Sequence, residues 1–162
     1  MEHFREGRFS EAISELESRL EVLEEEPSDS HVCSKILLSI ATAQALLSMN
    51  RKAIKSCQRA IDYFPGNLRA YILMGRVNEL LKRGSAAGKM KATECWRAGL
   101  AVTKMSDSVP DAMAILELTL LLRRSSSSSS GGCVEPAAAG CDDVAAFVMG
   151  DEAAALGESL LA

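Results

Sequence analysis

Residues 37–65 read LLSIATAQALLSMNRKAIKSCQRAIDYFP and contain two helical patterns in succession. Apolar side chains three and four residues apart lie on one face of an α-helix, and this spacing occurs on both sides of a polar break at residues 48–51. The first stripe comprises Leu37, Ile40, Ala41, Ala45 and Leu46, and the second comprises Ala53, Ile54, Cys57, Ala60, Ile61 and Phe64. A link this short makes the two helices antiparallel neighbours. The stretch therefore predicts a helix–turn–helix that Pro65 and Gly66 close.

Three small residues, Ala41, Ala53 and Ala60, mark the positions where the two backbones would approach most closely. A larger side chain there would overpack the crossing, at a cost of about 1–3 kcal/mol. With the final proline, these small residues resemble a tetratricopeptide repeat, a helix–turn–helix of about 34 residues with the pattern W-x2-L-G-x2-Y…A-x3-F…P. The pattern's slots are filled here by Leu37, Ile40, Ala41, Gln44, Ala53, Cys57 and Pro65.

The same pattern recurs on either side of this central unit. In the following unit the slots are filled by Tyr71, Met74, Gly75, Asn78, Ala92 and Trp96, with a loop expected at residues 83–88. In the preceding unit Ala12 and Leu16 fill second-helix slots, while the first-helix slots would fall before Met1. We therefore expect an incomplete first unit, with two alternatives. Its stripe of Ile13, Leu16 and Leu20 either faces water or is covered by the next helix and residues 1–6.

The resemblance implies an all-α fold, namely a short right-handed α-solenoid of antiparallel helix pairs in a domain spanning residues 1–124. We expect units at about 1–26 (incomplete), 34–67 and 68–104, followed by a capping helix at 108–124. Asp107 or Ser108 would cap that last helix, and Met113, Leu116, Leu120 and Leu121 form an apolar stripe that we expect to be buried. Residues 125–132 form a Ser/Gly linker, and 133–162 an acidic Ala-rich tail whose composition predicts disorder.

Charge divides the chain into three parts. Residues 1–30 carry a net charge of −7, residues 31–124 a net charge of +9, and residues 125–162 a net charge of −6. The basic middle would attract an acidic peptide or a phosphate backbone, although a solvated helical surface is the plainer interpretation. Basic and aromatic residues do not alternate, which weighs against nucleic-acid binding. The tail is most simply inert, but docking to a partner or back onto the basic middle stays open.

Sequence motifs for catalysis are missing. There is no Gly-rich phosphate loop, and the two histidines, His3 and His31, lie outside the strong helical patterns. Cys33 or Cys57 could form a nucleophilic pair with a histidine, but no third group to orient the pair is evident. We therefore expect no enzyme activity, cofactor or metal site. Five scattered cysteines without a CxxC pair predict reduced thiols in the cytoplasm, or alternatively the nucleus, and no apolar run is long enough for a membrane span.

The resemblance implies a concave groove that is lined by the first helix of each unit and binds an extended peptide or a helix. The positions it assigns to this groove are Lys35, Leu38, Ser39, Thr42, Arg69, Ile72, Leu73, Arg76 and Glu79. Residues 69, 72, 73 and 76 are spaced to share one helix face, which supports the assignment independently.

We therefore expect a protein–protein interaction adaptor whose partner is a peptide or helix of acidic character. The alternatives are a co-chaperone component and an RNA-binding helical repeat. One subclass of the family grips the acidic C-terminal tails of heat-shock chaperones with Lys, Arg and Asn side chains. Its slots hold Ser39, Arg69 and Leu73 here, and only Arg69 can donate comparably, so we expect no tight clamp on such tails.

Overall fold

A computed structural model describes residues 2–25, 29–81, 85–103 and 111–127, and the predicted tail at 133–162 lies outside them. These residues form helices and no strand, which confirms the all-α prediction for this part of the chain. The helices are α1 (Glu2–Arg5), α2 (Phe9–Glu25), α3 (Ser30–Leu46), α4 (Asn50–Tyr63), α5 (Leu68–Leu81), α6 (Ala86–Thr103) and α7 (Ala112–Ser127).

Helices α3 and α4 form the predicted antiparallel pair. The Ser34 hydroxyl, at the start of α3, donates a hydrogen bond to the carbonyl oxygen of Ala60, near the end of α4, at 2.7 Å. Ala41, Ala53 and Ala60 are fully buried, as expected for small residues at a close crossing. The connection takes three residues, and Ser48 within it adopts a left-handed conformation with φ of 58°.

Helices α5 and α6 are held by the packing of Trp96 against Gly75. Trp96 is 3% exposed, and its indole N–H points to the carbonyl oxygen of Ile72 at 3.4 Å. A Cβ atom at residue 75 would lie 2.6 Å from Cδ1 of the indole, so only glycine admits the ring at this distance. Gly99 meets Tyr71 in the same way one turn further along, which makes α5 and α6 antiparallel.

Helix α6 begins earlier than the sequence indicated. The loop predicted at residues 83–88 ends at Ser85, and Ala86 already belongs to the helix. The Ser85 hydroxyl accepts a hydrogen bond from the Gly88 amide at 3.2 Å, which satisfies an N–H that would otherwise lack a partner. This cap explains why two alanines and a glycine are helical there.

Helix α7 packs against both α5 and α6. Ala114 and Leu118 share an apolar cluster with Ile72 and Trp96. The helix is capped by Asp111, whose carboxylate accepts from the Met113 and Ala114 amides. The predicted caps Asp107 and Ser108 lie outside the described residues. At its other end α7 runs to Ser127, so the first three serines of the predicted linker are helical.

The first unit's apolar stripe is covered. Leu16 and Leu20 are 8% and 4% exposed and share a cluster with Leu37 of α3, and Phe4 of α1 packs against this cluster. Glu24 at the end of α2 also accepts hydrogen bonds from Arg59 and Tyr63 of α4. Of the two alternatives, the structure therefore shows the covered stripe.

The contact between Trp96 and Gly75 generates the first prediction. Gly75→Ala should destabilise the protein by about 1–3 kcal/mol because the added methyl group must displace the indole. The same glycine-to-alanine substitution at an exposed helix position would instead stabilise the protein by about 1 kcal/mol, so the two effects have opposite signs. Urea unfolding followed by the fluorescence of the single tryptophan measures the difference.

Gly99→Ala is the matched comparison. Its Cβ would lie 3.0 Å from Tyr71 Cβ and 3.2 Å from a methyl group of Leu118, which is tight but admits small shifts. We expect a smaller loss at Gly99 than at Gly75. A Gly75→Ala variant as stable as the natural chain would contradict the packing described here.

Candidate functional site

Helix α3 leaves one narrow stripe accessible. From Cys33 to Leu46 the residues that keep partial or full exposure are Lys35, Leu38, Thr42 and Leu46, and the others are buried. Their spacing of three, four and four residues places them on one face of the helix. The stripe contains three of the residues predicted for the groove. We call these four residues the α3 stripe.

Ser39 does not belong to the α3 stripe. It is 7% exposed, and its hydroxyl donates to the Lys35 carbonyl oxygen one turn back at 3.1 Å. Thr42 makes the equivalent bond to the Leu38 carbonyl oxygen at 2.9 Å. Both hydroxyls are thus occupied by their own helix, and Lys35 provides the charge of this face.

The structure places two predicted groove residues of α5 in the core. Ile72 is 5% exposed and packs with Ala114 and Leu118 of α7, and Leu73 is 8% exposed and packs with Ala41 of α3. Spacing places these two side chains next to each other on α5, but it does not show that α7 covers Ile72 while α3 covers Leu73. Neither side chain is presented to a ligand in this structure.

The predicted arginines of α5 contact acidic residues of α7. Arg69 Nε donates to Asp111 Oδ2 at 3.2 Å, and the Arg76 guanidinium pairs with the Glu117 carboxylate. Burial by itself raises the pKa of Asp111, but hydrogen bonds from the Ala114 amide and from Arg69, together with the arginine's charge, outweigh it and leave this pKa below its usual 3.8. The two ion pairs fix how α7 lies along α5.

These pairs join residues 42 and 41 positions apart in the chain. Arg69 and Asp111 lie at the starts of α5 and α7, and Arg76 and Glu117 lie further along the same two helices. The two helices therefore run parallel. Partly exposed ion pairs add little stability, about 0–1 kcal/mol each, so their main effect is on orientation. Sequence periodicity contains no signal for pairs so distant.

Glu79, the remaining predicted residue, borders a small cleft between α5, α6 and α7. The cleft has a volume of about 150 Å³, and Trp96 and Leu121 are among the residues that line it. Lys89 and Arg124 also border it, so an acid and two bases share its rim. This mixture of charges favours no single ligand chemistry.

Helix α7 differs from its prediction. Met113, Leu116 and Leu120, expected to be buried, are 67%, 53% and 56% exposed. The helix turns Ala114 and Leu118 to the core instead, because the small alanine allows a close approach to α5 and α6. We call the three exposed residues the α7 stripe.

The two cysteines considered for a nucleophilic pair lie in the core. Cys33 and Cys57 are buried, and burial, with a smaller contribution from Cys95, raises the pKa of the Cys57 thiol to about 12. A thiol with that pKa stays protonated and unreactive near neutrality. Within the described ranges, no three side chains of the metal-binding types come together, and no helix is both long and apolar enough to cross a membrane.

No protein-family model matches this chain, and no curated protein matches it either. The tetratricopeptide resemblance therefore stays a sequence-based prediction. What bears on function is the packing and charge of the described helices.

The ion pair between Arg69 and Asp111 generates the second prediction. A carboxyl group whose pKa is lowered by folding contributes stability that is complete above its unfolded pKa and is lost as pH falls through its folded pKa. Asp111→Asn keeps a residue that can cap α7 but removes the charge. We therefore expect the stability gap between the natural chain and this variant to be constant near neutrality and to close below 3.8.

Thermal unfolding at a series of pH values measures this gap. Glu15→Gln, an exposed residue of α2, is the control for removing one negative charge. A gap that persists unchanged at acid pH would show that the Asp111 charge does not hold α7.

Proposed function

We propose that this chain is a protein–protein interaction adaptor whose helix pairs form a short right-handed solenoid of the tetratricopeptide type. The pairs α3/α4 and α5/α6 are antiparallel, whereas α5 and α7, two elements apart, are parallel and in contact. The start of α5 likewise lies beside the start of α3, since the side-chain NH2 group of Asn67 donates to the Ser34 hydroxyl at 2.9 Å. This alternation supports the stacked arrangement.

The observation that carries the proposal is the α3 stripe. Stacked helix pairs leave one line of first-helix residues uncovered on their inner surface. On α3 these are Lys35, Leu38, Thr42 and Leu46, a basic residue followed by two leucines and a threonine methyl group. An amphipathic peptide could lay apolar side chains along such a line and place a carboxylate by Lys35.

Charge favours an acidic partner. The segment 31–124 has a net charge of +9, which would attract acidic peptides at a distance. Arg69 and Arg76 contribute less to this than the sequence suggested, because carboxylates of α7 already pair with them. The same pairing weighs further against a clamp on chaperone tails that would depend on Arg69.

The third prediction tests this surface by charge reversal. The probe is a library of acidic peptides about four helical turns long with apolar residues at helical spacing, titrated by fluorescence anisotropy. We expect micromolar binding that Lys35→Glu weakens by about tenfold, which corresponds to about 1.4 kcal/mol. Lys55→Glu makes the same change on the exposed side of α4 and should leave the affinity nearly unchanged.

Two outcomes would count against the adaptor proposal. Equal losses in the two variants would indicate general charge attraction rather than a groove. Binding to single-stranded RNA that falls steeply as salt rises, with no peptide binding, would favour the nucleic-acid alternative.

A further inference from the structure

Helices α5 and α7 use equivalent faces. Helix α5 packs backward onto the preceding helices with Ala70, and its forward face, Arg69, Ile72 and Arg76, meets α7. Helix α7 packs backward with Ala114, and the residues at the same spacing, Met113, Leu116 and Leu120, form the α7 stripe. The stripe thus occupies the position that another helix covers on α5.

The two forward faces differ in chemistry. On α5 two of the three residues are arginines, which the carboxylates of α7 neutralise. On α7 all three are apolar and more than half exposed. A contiguous apolar stripe on an exposed helix marks a contact surface. An occupant should therefore be apolar along the contact.

We propose that residues 142–161 of the same chain dock on the α7 stripe. Their sequence contains five acidic residues and no basic one. Val144, Phe147 and Val148 recur at helical spacing, and Leu156 and Leu160 continue the apolar pattern four residues apart. The segment thus offers the apolar side chains that the stripe lacks as partners.

Charge sets the direction of docking. Arg123 and Arg124 lie exposed at the end of α7, and Asp142 and Asp143 begin the segment. An antiparallel arrangement brings the two acids to the two arginines and lays Phe147 along the stripe. The two arginines also suit the negative end of the α7 dipole.

The chain is long enough to reach. Helix α7 has 16 residues and is thus about 24 Å long. The 14 residues from 128 to 141 can span up to about 46 Å when extended. The segment can therefore return along the whole of α7 in either direction.

Tethering favours this occupant over a second copy of the chain. Three side chains fall well short of the roughly 800 Å² per partner that a stable dimer buries. A segment on a short tether instead acts at an effective concentration in the millimolar range, at which a weak contact is occupied. The α3 stripe has no part in this docking, so the failure of the adaptor proposal would leave it standing.

Photo-crosslinking in the full chain tests the proposal. Leu116 is replaced by p-benzoylphenylalanine, and a mixture of natural-abundance and ¹⁵N-labelled protein is irradiated and digested. We expect crosslinks from position 116 to residues 142–161 within isotopically uniform pairs. The same replacement at Val22, an apolar residue of α2 with 64% exposure, is the control and should give none.

Charge reversal supplies the second measurement. Arg123→Glu with Arg124→Glu should lower the crosslink yield by about three- to fivefold, as expected for two exposed ion pairs. Adding Asp142→Arg and Asp143→Arg should restore the yield, which loss of folding could not produce. Crosslinks in mixed-isotope pairs, crosslinks to other segments only, or no restoration would each overturn the proposal.

Discussion

The packing of Trp96 onto the bare backbone at Gly75 is the constraint on which the second half of this structure depends. Because residue 75 has no Cβ, the indole lies against α5 and brings α6 with it. Ala114 and Leu118 pack in the same cluster as Trp96, so α7 takes part in this packing as well. The contact between Trp96 and Gly75 therefore contributes to the interfaces of α6 and α7 with α5. Gly99 makes a similar close contact with Tyr71 and Leu118.

Sequence spacing was sufficient for the features that depend on neighbouring residues. Ala41, Ala53 and Ala60 were predicted as close-contact positions and are fully buried, because helical period and a short link fix both helices of that pair. The predicted start of α6 was wrong because the helix begins where the Ser85 hydroxyl accepts the Gly88 N–H, a contact that spacing does not reveal. The buried bond from Ser34 to the Ala60 carbonyl was missed because a serine in an apolar pattern gives no sign of its partner.

The candidate site shows the same division. Lys35, Leu38 and Thr42 lie on an accessible stripe, whereas Ile72 and Leu73, assigned to the same groove by spacing, are core residues. Periodicity identifies residues that share a face, but it cannot say whether a later helix covers that face. Helix α7 covers Ile72 with Ala114 and Leu118, whereas Leu73 packs against Ala41 of α3. Asp111 and Glu117, more than 40 residues further along the chain, pair with Arg69 and Arg76. The two arginines that were predicted to bind a ligand therefore form ion pairs within the protein instead.

The outer faces of α2 and α7 are chemically unequal, and this asymmetry follows from which residues each helix turns inward. Helix α2 buries Leu16 and Leu20 and leaves a charged surface, where Val22 is the one largely exposed large apolar side chain among the described residues of this helix. Helix α7 is apolar on more than one side, so turning Ala114 and Leu118 inward necessarily turns three large apolar side chains outward. Apolar surface in contact with water is unfavourable, and the described helix α7 presents more of it than α2 does. The free-energy cost of exposed apolar surface is therefore larger at α7 than at α2. Helix α7 also carries arginines near its end, and acidic residues follow it in the chain.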